Sequence, residues 1–307
     1  MMAARRQSSM KLYNTYSTRW RTFCEARGWN YIFAEVKQGL LFLQHLLDTG
    51  SGYSVINTAR SALSALIILP TGSLFGSHSD VSLFMKGVFN LRPTQPRYVT
   101  TWDPMIVLSF LETWVPADNI SLEKLTLKVI LLILLITGQC PQILHKLNLQ
   151  HLKSSSDCHE FVLEITDLKQ GRPNFRPNTI LLRAYPSNKK LCIFHYLSVY
   201  LRRTALLRKE HSQLLLAHKK PHKPATPNTI SRWIKQGLQQ AGIDIGVFSA
   251  GSTRAASTSK AREQGVPVDQ ILNMAGWTRE STFNRFYNRP ILPVPIATRL
   301  LDCVSQD

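Results

Sequence analysis

Residues 249–291 read "SAGSTRAASTSKAREQGVPVDQILNMAGWTRESTFNRFYNRPI". The part "STRAASTSKA" is small and helix-compatible, so its neighbours pack tightly while Arg254, near its start, projects. "AGWTRE" makes a turn between helices and holds Trp277. "STFNRFYNRPI" is a short helix that ends before Pro290, with Tyr287 just past it. A guanidinium's fork of donors matches two oxygens of one phosphate. Helix starts favour anions, an indole N–H donates, and a phenol becomes a nucleophile in a cationic pocket. Singly these are a surface arginine, a packed tryptophan and a stacked tyrosine. Together they are the residue types that a phosphate-clamping site with a tyrosine nucleophile requires.

The rest of the 307-residue chain agrees with a polyanionic partner. It has 37 Lys and Arg against 19 Asp and Glu, a formal charge of +18, which points to nucleic acid before an acidic membrane. With 44% hydrophobic residues it buries a real core. Cys24, Cys140, Cys158, Cys192 and Cys303 are scattered and odd in number, as in a reducing compartment. Cys192/His195 and Cys158/His159 lack a second pair at zinc-site spacing, so no metal is expected. The start "MMAARRQSSMK" has no apolar core behind its arginines. The longest apolar run, Val129 to Ile136, is too short for a bilayer. We expect a soluble intracellular protein with no membrane partner and no cofactor.

Two regions are expected. Residues 10–90 carry four amphipathic helices, marked by Tyr13, Tyr16, Trp20 and Phe23, by "EVKQGLLFLQHLLDTG", by "YSVINTARSALSALIILP" and by "VSLFMKGV". The proline-containing stretch "LRPTQPRYVTTW" (91–102) reads as a linker, giving domains 1–96 and 97–307. The second opens with helices over 103–115 and 121–137. "EFVLEITDLKQGRPNFRPNTILLRAYP" reads as a hairpin or three-stranded sheet. Helices resume at "IFHYLSVYLRRTALLRK" and near Asn228 or Thr229, the latter ending at Gly242. The fold class is mainly α with a small antiparallel β-sheet: an N-terminal helical bundle and an α+β domain.

Between Lys169 and Lys223 stand 13 Lys or Arg residues and one acid, Glu210, a balance that neutralises several phosphates. Arg172, Arg176, Arg202, Arg203, Arg232 and Lys235 are the DNA-contact candidates, the last two sharing a helix face.

The order and spacing of "RSALSAL", "FMKGVFNLRP", "LLITGQCPQILHKLNL", "NTISRWIKQGLQQAGID", "GSTRAASTSKA" and "ILNMAGWTRESTFNRFYNRPI" resemble the tyrosine recombinases across nearly the whole chain. The resemblance is strongest to the recombinases of DIRS-like and Crypton-like eukaryotic mobile elements. It implies a core-binding helical domain and a catalytic domain closing on double-stranded DNA, metal-free chemistry, a homo-oligomer on DNA, and nuclear residence. It implies attack by a tyrosine on a backbone phosphorus, giving a 3′-phosphotyrosyl link and a free 5′-hydroxyl. Carried over, Tyr287 matches the nucleophile, Trp277 the His/Trp position and Arg254 the second arginine. Lys169, in "DLKQGRP", matches the lysine that protonates the leaving hydroxyl, with Lys189 and Lys190 also near strand-like sequence.

Two positions depart from the pattern. Cys140, in "TGQCPQ", stands where the family has its first arginine, and Gly251 where it has a His or Lys. A thiol is short and a weak donor. Losing one positioned donor at an oxyanion costs about 10²–10³-fold in rate. Lys146, His145 and Arg279 are candidates to supply a replacement cation. The expectation is a DNA-binding protein of mobile-element origin with impaired strand transfer. An active recombinase with a rearranged site is one alternative. A non-catalytic helical nucleic-acid-binding or scaffold protein, in which Arg254, Trp277 and Tyr287 lie apart, is another.

Overall fold

The computed structural model describes residues 7–155, 159–165 and 178–292. The chain divides into two compact units, between Gln95 and Pro96.

The first unit holds α1 (Gln7–Glu25), α2 (Val36–Asp48), α3 (Tyr53–Leu66) and α4 (Ser79–Leu91). Its core is aromatic at the α1–α2 contact. Trp20 and Phe42 meet edge to face at 5.4 Å, and the Trp20 indole donates to the Tyr31 carbonyl at 2.8 Å. Both rings are buried, and each adds edge-to-face attraction to its burial. Gly39 allows α2 to approach the Phe75 ring, since a Cβ there would fall 2.3 Å from the ring edge. Ala59, on α3, is fully buried, and α1 packs on that helix.

The second unit is built around α6 (Leu122–Thr137), with α5 (Pro104–Glu112) before it and the one-turn α7 (Pro141–Leu144) after it. Residues Leu125 to Leu135 of α6 are all buried, on every side of the helix, which makes it a central helix rather than a surface one. α8 (Ile193–Thr204), α9 (Pro227–Gln240) and α10 (Ser252–Glu263) pack against it. α11 (Val268–Ala275) and α12 (Glu280–Phe286) complete the helices.

The sheet has three antiparallel strands in the order β1 (Leu152–Ser155), β2 (Glu160–Ile165) and β3 (Asn178–Arg183). The hairpin expected from sequence supplies β2 and β3. The third strand comes from upstream, in "LKSS", which is too short and polar to signal a strand by itself. On β2 the alternate residues Phe161, Leu163 and Ile165 are buried, and Phe161 and Leu163 face Leu182 and Ile180 of β3 across the pair. α9 starts at Pro227, one residue before the earlier of the two starts expected, because the Thr226 hydroxyl accepts the Thr229 amide and caps it.

Lys128 lies on the buried helix α6 and is fully inaccessible. Its ammonium donates to the carbonyls of Leu111 and Trp114, at 2.7 and 3.0 Å, and sits 3.8 Å from the centre of the Tyr196 ring. It thereby ties the end of α5 to the core. Burial pulls its pKa down to about 8; Glu112 opposes the shift and Lys190 adds to it. The folded chain therefore releases this proton near pH 8, while the unfolded chain holds it to about 10.4. Across that window the unfolded state binds more protons, so this group makes stability rise with pH, by at most about 1.4 kcal/mol per unit. Denaturant unfolding at pH 7 to 10 should show wild type gaining on Lys128→Met above pH 8, and a constant offset below it. An offset that never changes would mean that Lys128 titrates like a solvated lysine.

Candidate active site

The residues singled out near the chain's end are assembled by α10, α11 and α12 with the turns between them. α10 begins at Ser252, with Gly251 as its N-cap residue. Its small side chains allow close contact with α6: Ala255, Ala256, Ser257, Thr258 and Ser259 are all buried, and the Ser257 hydroxyl donates to the Leu135 carbonyl. α6 ends at Gly138, which adopts a left-handed conformation (φ 59°) beside Thr258; a Cβ there would fall 2.8 Å from the Thr258 methyl. The "TGQC" turn thus lies directly against α10. Gln139, on that turn, is buried and donates its amide to the Met274 carbonyl at 2.6 Å.

Arg254 leaves α10 half-buried and donates to the Ala275 carbonyl at the end of α11. Its guanidinium lies 4.0 Å from the centre of the Trp277 ring and 5.3 Å from that of Tyr287. The two rings are 4.5 Å apart at 41°. Gly276, with φ 70°, closes α11, and the Trp277 amide bonds the Leu272 carbonyl at 2.9 Å, which turns the indole back toward α10. Phe283 of α12 is fully buried and packs 5.5 Å from Trp277. The three side chains, the outer two separated by 33 positions of sequence, therefore form one cluster, half-buried and headed by a cation.

Burial pulls the Arg254 pKa below its ordinary value; the adjacent Cys140 and Tyr287 side chains oppose the shift. A guanidinium remains charged under any such shift. Its Nε is buried without a hydrogen-bond partner. Cys140, a free and partly exposed cysteine at the start of α7, thus stands beside the arginine that is present. Gly251 is exposed, and a Cβ there would meet only the Ser249 hydroxyl, at an ordinary 3.7 Å.

Of the other candidates, Lys169, Arg172 and Arg176 lie outside the described residues. Lys189 and Lys190 form a 3-10 turn ahead of α8. Arg232 and Lys235 are exposed on α9, whose opposite side buries Ile230, Trp233, Ile234 and Leu238. Arg202 pairs with Asp118 on the surface. Arg203 donates to the carbonyls of Ile120 and Ala117, at 2.6 and 3.4 Å, so its guanidinium braces the turn before α6. Among the candidate replacement cations, His145 faces the Ala225 carbonyl at 3.1 Å and Arg279 is exposed at the start of α12. Among the described residues, no group of three His, Cys, Asp or Glu side chains is placed to hold a metal ion, and no helix is long and apolar enough to cross a membrane.

The stretch 91–102, legible in sequence only as a linker, contributes to this cluster. The Tyr98 hydroxyl bonds the Ser249 hydroxyl at 2.6 Å and accepts the Ser249 amide at 2.9 Å. The Trp102 indole donates to the Ser252 hydroxyl at 2.9 Å. Both contacts anchor the start of α10. Two aromatic residues in an otherwise polar segment were the only available signal.

No family model matches the sequence, and no curated protein matches it either. Solved structures do match its fold. XerH site-specific recombinase bound to difH substrate, in a pre-cleavage complex, aligns over 89% of this chain and 70% of its own, with 12% identity and a TM-score of 0.55. A lambda integrase (75–356) dimer bound to a COC′ core site aligns over 95% and 93%, with 13% identity and a TM-score of 0.54. The Tn1549 transposon integrase in complex with transposon right end DNA aligns over 89% and 85%, with 14% identity and a TM-score of 0.52. At these identities the likeness defines the fold: a helical region joined to an α+β domain, as in the tyrosine recombinases and integrases.

Proposed function

We propose that this chain is a DNA-binding protein of the tyrosine-recombinase type, of mobile-element origin, in which strand transfer is impaired. The observation that carries the reading is the Arg254 guanidinium set 4.0 and 5.3 Å from the Trp277 and Tyr287 rings, with Cys140 rather than a second cation beside it. The solved structures with this fold include several bound to DNA, which supports DNA as the partner. The motif resemblance to DIRS-like and Crypton-like recombinases supports the origin, and nuclear residence and assembly of several copies on DNA go with it.

In this reading a backbone phosphate enters against Arg254. The Tyr287 oxygen attacks phosphorus, the bond to the 5′-oxygen breaks, and that oxygen takes up a proton, from Lys169 by the resemblance. Negative charge grows on the two non-bridging oxygens. Arg254 opposes it through paired N–H donors, and the Trp277 indole N–H supplies another. The phenol must pass its proton to solvent as it attacks, because Gly251 has no side chain to take it. Cys140 adds no cation. Each missing group weakens stabilisation that exists only in the transition state, so binding survives better than cleavage.

A helical scaffold with no strand chemistry in its ancestry requires Arg254, Trp277 and Tyr287 to lie apart, opposite to their observed arrangement. A fully active enzyme with a rearranged site is separated by experiment. On a nicked suicide DNA substrate, wild type should give at most a slow covalent adduct, absent in Tyr287→Phe. A fast, abundant adduct would overturn the impaired reading. Cys140→Arg combined with Gly251→His should raise the adduct rate by about 10²-fold or more, since the space beside Gly251 accepts a side chain. No gain from the pair would place the defect elsewhere.

DNA affinity should fall steeply with salt, log K declining linearly with log salt. Arg232→Ala and Lys235→Ala should each reduce that slope by about one. Affinity that stays level from low to moderate salt would remove the DNA-clamp reading.

A further inference from the structure

The segment carrying Tyr287 is held by its own chain at two places. Ser259 of α10, 4% exposed, donates its hydroxyl to the Tyr287 carbonyl at 2.8 Å and accepts the Arg289 amide at 3.0 Å. Further on, the Thr101 amide donates to the Pro290 carbonyl at 2.9 Å and the Thr101 carbonyl accepts the Leu292 amide at 2.6 Å, a short parallel bridge. Local structure holds Tyr287 through the end of a seven-residue helix, where its amide and that of Asn288 share the Phe283 carbonyl, with Pro290 soon after. The long-range bonds add a second hold, to α10 and to the segment at Thr101.

Ser259 and Arg254 share α10, so one hydroxyl links the backbone of Tyr287 to the helix that carries the guanidinium. Other buried hydroxyls of α10 have different partners. Ser252 accepts the Trp102 indole, Ser257 donates to Leu135, and Thr258 donates to the Arg254 carbonyl. Ser259 is the one bonded to the Tyr287 segment among the described residues.

We propose that Ser259 is a positioning residue: its hydroxyl clamps the Tyr287 backbone to α10, keeps the phenol stacked on Trp277 beside Arg254, and completes the site within one chain. Its relevance to strand transfer rests on the reading of Tyr287 as nucleophile. The clamp itself does not, and the test separates the two.

The full chain, free of DNA, is labelled with 3-fluorotyrosine at position 287 alone and followed by fluorine NMR, and amide exchange is measured over residues 284–292. Ser259→Ala should shift the fluorine resonance toward the denatured-chain position and speed Arg289 amide exchange by at least about tenfold. Ser257→Ala, which removes an equally buried hydroxyl from the same helix, should leave both unchanged. Ser259→Thr, which keeps the hydroxyl, should retain both. Persistence of the fluorine shift and the protection in Ser259→Ala overturns the proposal. So does their loss in Ser257→Ala or in Ser259→Thr to the same degree, because packing rather than the hydroxyl would then be responsible. On nicked DNA at saturation, Ser259→Ala should lower the adduct rate constant by about 10²-fold with the half-saturating DNA concentration unchanged. An adduct rate indifferent to Ser259→Ala overturns the positioning role. The rate comparison is made in Cys140→Arg combined with Gly251→His, where the adduct is expected to be measurable; if that background forms no adduct while the two free-chain signals behave as expected, the strand-transfer reading falls and the clamp is upheld.

Discussion

A half-buried guanidinium is the constraint around which the end of this chain is arranged. Arg254 has left most of its water, and burial alone disfavours its charge. The structure offsets that loss with specific partners: the Ala275 carbonyl, the face of Trp277 and the neighbouring Tyr287 ring. An aromatic face attracts a cation more strongly when water is excluded. The carbonyl belongs to the end of α11, where helix carbonyls lack partners and favour positive charge. Thus one arginine satisfies a helix end, orders the turn beyond it, and leaves its charge facing the tyrosine.

That arrangement depends on how closely α10 approaches the chain's central helix. Small buried residues on α10 and a left-handed glycine at the end of α6 let the two backbones draw near. The approach carries Cys140 to the same place as Arg254. A change of charge at position 140 would therefore act inside the cluster, not at a distant surface. Lys128 shows the contrasting solution on the same central helix. Fully buried, it has two carbonyls and a ring as partners and serves to hold α5 in place.

The basic residues divide by what they already bond. Arg203 is committed to carbonyls of the turn before α6, and Arg202 to Asp118. Arg232 and Lys235 stand exposed on the polar side of an amphipathic helix. The basic residues thus include both structural braces and groups available to an anion. Only the hydrogen-bond partners tell them apart.

Much of the architecture was legible in the order of residues. Helical periodicity identified α1 to α4, because each displays its buried face through neighbours three and four positions away, while an apolar run marked α6, a polar cap and a closing glycine marked α9, and small residues marked α10. The spacing of Arg254, Trp277 and Tyr287 was likewise readable, as was the presence of Cys140 and Gly251 in the neighbouring motifs. Tertiary structure alone decided that the three side chains meet. It also decided that Tyr98 and Trp102, taken for linker, anchor the start of α10 across 151 and 150 positions, and that Ser259 reaches the Tyr287 carbonyl across 28. The reason is physical. Periodicity is written by contacts between chain neighbours, whereas a serine hydroxyl or an indole N–H bonds whichever group the packed helices bring within about 3 Å, and no local pattern records that partner.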